Sequence, residues 1–188
     1  AVLEVVRQSF CRHVVVLPEA ASILFQGGFP RHDTAAGRTG AQRAIYRVQA
    51  ELERIAVEEQ QAAIVLCDRG TVDGLAYCPP PPEAFWAEVG TTHAAELARY
   101  VAVIHLRTPG AQQGYDRSNP VRRETADEAA LYDERILAAW SAHPSRTIID
   151  SSDEFLHKLE RTLDAIRHEL PACCRGHGPS RSGRDDCA

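Results

Sequence analysis

The sequence predicts an α/β fold in which a doubly wound parallel sheet carries helices on both faces. Two observations support this. Four short apolar runs are β-branched and barely alternate, as strands covered on both sides do. Between them lie stretches whose apolar residues recur every three or four positions, the period of a helix with one buried stripe. Strands alternating with helices imply βαβ units, and right-handed crossovers bring every C-terminal strand end to one edge.

The first run is Val14-Val15-Val16-Leu17. A helical stripe follows at Ala41, Ala44, Ile45, Val48, Leu52, Ile55 and Ala56. The second run is Ile64-Val65-Leu66-Cys67, and the proline-rich stretch from Cys78 to Pro82 predicts a surface loop. The third run spans Val101 to Leu106 and the fourth is Thr147-Ile148-Ile149. Two helix starts carry capping boxes, Thr125 with Glu128 and Ser151 with Glu154. The last helix is marked by Leu156, Leu159, Leu163, Ile166 and Leu170.

A chain of 188 residues fits one domain, expected over 1–171, with a disordered tail over 172–188 where no apolar period persists. Hydrophobic residues at 44% and charged residues at 25% are ordinary for a globular protein. A formal net charge of −5 speaks against nucleic acid as a partner. No apolar run approaches the roughly 18 residues of a membrane span, and no signal segment is read at the start. The six cysteines form no C-x-x-C pair, which suits reduced thiols in the cytoplasm. The tail group Cys173, Cys174, His177 and Cys187 has no usual finger spacing, so no zinc site is expected there. Methionine is absent, and Lys158 is the only lysine.

In an open α/β sheet, ligands gather beyond the C-terminal strand ends. Glu19 follows the first run, and Asp68-Arg69-Gly70 follows the second. A carboxylate there can hold a magnesium-bound water or take a proton from a hydroxyl, and an arginine can grip a phosphate by paired hydrogen bonds. The same residues would also serve as a loop cap and a structural ion pair. A second constellation runs from Tyr115 to Glu124, with Arg117, Arg122 and Arg123. It reads as a mobile lid suited to clamping a polyphosphate, or as a solvated loop whose arginines pair with neighbouring acids.

The ordered strings Glu19-Ala20-Ala21, Leu66-Cys67-Asp68-Arg69-Gly70, Asn119-Pro120-Val121-Arg122 and Leu131-Tyr132-Asp133-Glu134-Arg135-Ile136 resemble the P-loop ATPases of the NadR type. These are AAA-labelled ATP-binding proteins related to ribosylnicotinamide kinase and, more distantly, to thymidylate and deoxynucleoside kinases. The resemblance covers about residues 1 to 170. It implies strand order 2-3-1-4-5, with ATP and Mg2+ as ligands. It implies phosphoryl transfer to a small hydroxyl-bearing acceptor, or a regulatory module that binds nucleotide or phospholipid without turnover. Glu19 would stand near the acceptor, Asp68 would face magnesium or the acceptor hydroxyl, and Arg69 would face a phosphate. Arg117, Arg122 and Arg123 would lie over the nucleotide.

One departure stands out. Such proteins open with a strand and a G-x-x-x-x-G-K-[ST] loop, and this sequence holds no Gly-Lys dipeptide. Ala1 to Val6 reads as the helix that follows such a loop. The expectation is therefore a truncation, with the first strand missing from between the strand ending near Asp68 and the one ending at Leu106.

Overall fold

The computed structural model describes residues 2–11, 13–108, 125–150 and 155–175. Helix α1 (Val2–Ser9) leads into strand β1 (Val14–Val16), then α2 (Ala20–Gln26) and the long α3 (Ala35–Glu58). Strand β2 (Ile64–Leu66) is followed by a 3₁₀ helix (Thr71–Tyr77), α4 (Ala84–Val89) and α5 (His93–Leu97). Strand β3 (Val103–Leu106), α6 (Ala126–Ala139), β4 (Arg146–Ile149), α7 (Phe155–Glu169) and α8 (Ala172–Arg175) complete the order.

All four expected strands form, and both pairings are parallel. β1 pairs with β2 from Val14↔Ile64 to Val16↔Leu66, and β3 pairs with β4 from Val103↔Arg146 to Leu106↔Ile149. Among the described residues no ladder joins β2 to β3, so the sheet is present as two separate pairs. The third strand starts two residues later than the sequence suggests, leaving Val101 75% exposed before it.

Helices cover both faces. On one side α1, α7 and α8 bury Val6, Phe10, Ile166 and Leu170 against Val14, Val16, Ile64, Leu66 and Ile104. Ile64 and Leu66 thus share a core with Ile104 although their strands are not hydrogen-bonded. Successive residues of a strand face opposite ways, and Val103 accordingly packs into the other core. There Tyr46, Val72, Phe85, Trp86, Ile136 and Trp140 join α3, the 3₁₀ helix, α4 and α6. Each large apolar side chain buried here contributes about 1.5–3 kcal/mol relative to exposure.

Helix ends follow their caps. Thr34 accepts from Gly37 N–H at the start of α3. Thr125 and Glu128 form the expected reciprocal box at α6. The Ser151–Glu154 box lies outside the described residues.

Two expectations need correction. The buried line of α3 runs through Ala41, Tyr46, Gln49 and Ala56, while Ile55 is exposed. The helix is turned from the apolar stripe read in the sequence, because its inward face makes polar contacts. Val48, Leu52 and Ile55 instead line a shallow surface depression with Arg47 and Glu51. At the other end, Ala172–Arg175 form a helical turn rather than the start of a tail, and Cys174 is buried. No helix among the described residues is long and apolar enough to cross a membrane.

Candidate functional site

The register of β1 on β2 brings two strand exits to one edge. The last bond of the ladder runs from Leu17 N–H to Leu66 O at 2.9 Å. Beyond it the chains leave as Pro18-Glu19 and Cys67-Asp68-Arg69. Glu19 sits at the N-cap of α2 and is half-buried. Its carboxylate does not cap the helix but accepts the Ser22 hydroxyl at 2.5 Å. Asp68 is exposed and Arg69 half-buried.

Arg69 is the electrostatic centre of this edge. Burial works against its charge, but Asp73, Tyr77, Asp68 and Glu19 outweigh it and raise its pKa above the ordinary guanidinium value. Among the described residues it makes no direct ion pair or side-chain hydrogen bond. None of its five N–H donors is engaged by a side chain among the described residues.

The loop carrying Asp68 and Arg69 is held from behind by the 3₁₀ helix. Asp73, 8% exposed, accepts Gly70 N–H at 2.6 Å and Trp140 Nε1–H at 3.1 Å. Burial raises its pKa, opposed by Arg69, Trp140 and the Gly70 amide. Gly70 is required by space: a Cβ there would stand 2.8 Å from Trp140 Cζ2 and 3.1 Å from Tyr100 Cζ. Thr71 is fixed twice, its N–H donating to Tyr100 Oη at 2.7 Å and its hydroxyl to Glu96 at 2.7 Å. Buried Glu96 also accepts from Tyr46 and Thr91, and the Tyr100 hydroxyl donates to Glu53. This network is the polar face that turns α3 inward.

The other pair of strands ends differently. Arg107, just past β3, is spent on Asp133 at 2.8 Å and on Glu134. Asp133 also lies 3.1 Å from His105 Nε2 and accepts Thr108 N–H at 3.2 Å. Lys158 donates to Arg107 O at 2.8 Å. This edge is self-satisfied where the first is not.

Glu19, Asp68 and Arg69 therefore lie on one edge. Arg117, Arg122 and Arg123, with the whole expected lid, lie outside the described residues. Sequence reasoning passed over Asp73 and Asp133 as anchors. The signal for Asp73 is its place three residues after Gly70, where a carboxylate can reach back to an N–H.

A family model described as AAA domain matches residues 5–156, and the chain belongs to that family. AAA domains are P-loop α/β modules that bind nucleotide, generally with Mg2+. No curated protein and no solved structure matches the chain. The residues on this edge fit the magnesium and phosphate side of such a site. Asp68 is an accessible hard oxygen donor, and Arg69 a fork without a direct partner among the described residues. The glycine-lysine cradle is not among the residues of this sequence.

Two outcomes follow from this geometry. Gly70→Ala should lower stability by about 1–3 kcal/mol in denaturant unfolding, the usual cost of overpacking, since both neighbours are rings in a packed core. Asp133 gives a pH test. Burial opposes its ionisation, but His105, Arg107 and Thr108 hold its pKa below the ordinary 3.8. Its contribution is thus complete above 3.8 and lost as pH falls through the depressed native value. Thermal melts of Asp133→Asn from pH 3 to 6 (roughly the carboxylate range) should show a gap from wild type that narrows towards the acid end.

Proposed function

Taking membership of the AAA domain family as the premise, we propose that this protein binds ATP with Mg2+ and transfers a phosphoryl group to a small hydroxyl-bearing acceptor. The observation that carries this reading is Arg69, ringed by carboxylates yet paired directly with none of the described residues. The surrounding acids keep the guanidinium charged, and its fork could grip a bound phosphate by paired hydrogen bonds.

Catalysis of this kind rests on positioning and charge neutralisation. Magnesium, when bound, neutralises charge on the phosphates. Asp68 would hold it or orient the acceptor hydroxyl. Arg69 would donate paired hydrogen bonds to a phosphate, and Glu19 would orient the acceptor. Arg117, Arg122 and Arg123 would close over the nucleotide.

The same proposal extends to the sheet. In the order 2-3-1-4-5, a further strand lies between β2 and β3. This is supported by the lack, among the described residues, of a ladder between them, and by the core that Ile64, Leu66 and Ile104 share with α1. A strand and phosphate loop N-terminal to α1 would complete both sheet and cradle. Neighbouring strands lie about 4.8 Å apart, so one inserted strand needs a gap of about 9–10 Å.

The competing reading is a nucleotide- or phospholipid-binding module without turnover. Mg-ATP binding and acceptor-dependent ATP loss, measured on the 188-residue chain and on a form extended through its own upstream coding sequence, separate the readings. The extended form should bind more tightly and be more stable. Arg69→Gln should weaken its binding roughly tenfold or more, the worth of a charge-assisted hydrogen bond. Asp68→Asn should abolish turnover with an unchanged melting temperature. Binding without ATP loss under every acceptor tested would favour the module. Equal binding by wild type and Arg69→Gln would remove Arg69 from the site.

A further inference from the structure

Far from this edge in sequence and role, the fold gathers a second group. Cys11 follows α1, His13 lies two residues on at the entrance to β1, and Cys174 sits in α8. Cys11 and Cys174 are each 2% exposed, inside the apolar core of α1 and α7, while His13 is half-buried. Cys11 Sγ lies 3.7 Å from His13 Nδ1, and the donor atoms of all three residues lie within 4.8 Å of one another.

We propose that Cys11, His13 and Cys174 form a zinc site that clasps the last helical turn onto the connection between α1 and β1. Zinc takes sulfur at about 2.3 Å and nitrogen at about 2.0–2.1 Å, so ligand atoms of a tetrahedral ion stand about 3.5–3.8 Å apart. The Cys11–His13 pair already has that spacing. Contraction of the remaining distances by no more than about 1.3 Å completes the set. Charge argues the same way: on binding, both thiols lose their protons to solvent. Two thiolates and a neutral imidazole then cancel the 2+ charge exactly where an apolar core tolerates no net charge. Soft thiolates select zinc over magnesium, so the site is chemically separate from any nucleotide-bound metal. Three protein ligands leave the fourth position to water or another donor.

The bland alternative is two core thiols beside a histidine, or a Cys11–Cys174 disulfide formed on oxidation. Cobalt distinguishes them. The reduced, metal-free 188-residue chain should bind one equivalent of Co2+, with thiolate-to-cobalt charge transfer and the visible bands of a tetrahedral ion. Zn2+ should displace it and raise the thermal midpoint. Cys11→Ser and Cys174→Ser should each remove most of the charge-transfer intensity, whereas Cys78→Ser should leave it intact. Because a core variant can fail to fold, His13→Gln is the second test and should weaken cobalt binding roughly 10–100-fold. No charge-transfer band with the reduced chain would overturn the proposal. So would a band that survives both cysteine variants, or a Cys11–Cys174 disulfide in a chain that takes up no metal when reduced.

Discussion

The carboxylate of Asp73 is the interaction on which the candidate site depends. An acid buried to this extent is costly unless its oxygens are hydrogen-bonded and its charge is met. The Gly70 amide, the Trp140 indole N–H and the charge of Arg69 offset part of that cost for Asp73, while burial still holds its pKa above the ordinary value. Those contacts tie the exit of β2 to the tryptophan that fills the core beneath α6. Gly70 then has no room for a side chain, which fixes the turn that follows Asp68 and Arg69. The position of Asp68 and Arg69 is thus a consequence of packing behind them.

The two strand edges show what an unsatisfied arrangement looks like beside a satisfied one. Arg107 directly follows β3, and Arg69 stands three residues past the end of β2, each beyond the end of a parallel strand. Arg107 is paired at close range with Asp133 and Glu134, and its own carbonyl is taken by Lys158. Arg69 has comparable negative charge nearby and none of it in contact. The first arrangement stabilises the fold. The second leaves Arg69 without a close partner among the described residues, on a loop that follows a strand end of the kind where ligands of such sheets bind.

The strands were legible because full burial demands β-branched, non-alternating runs, and Val14–Val16 and Ile64–Leu66 have little else they can form. The Thr125–Glu128 box was legible because capping is local. The face of α3 was not, since its inward residues include Tyr46, which donates to Glu96, and Gln49, which donates to Glu53, itself the acceptor of the Tyr100 hydroxyl. Glu96 and Tyr100 come from distant segments. Nor was the placement of Cys174: a short turn among Gly, Arg and Ser reads as tail until the α1 core is there to cover it. The edge shared by Glu19, Asp68 and Arg69 followed from topology alone. What holds it there, Asp73, needed the tertiary position of Trp140.

The most direct measurement of this account is a double-mutant cycle on stability with Arg69→Gln and Asp73→Asn. Residues coupled through one network show interaction energies of about 0.5–3 kcal/mol, whereas independent sites add to within about 0.3–0.5 kcal/mol. If Asp73 positions the Asp68–Arg69 loop, the two substitutions should be coupled, with Asp73→Asn costing less once Arg69 is already replaced. Strict additivity would contradict that claim and leave Arg69 held by something other than the carboxylate behind it.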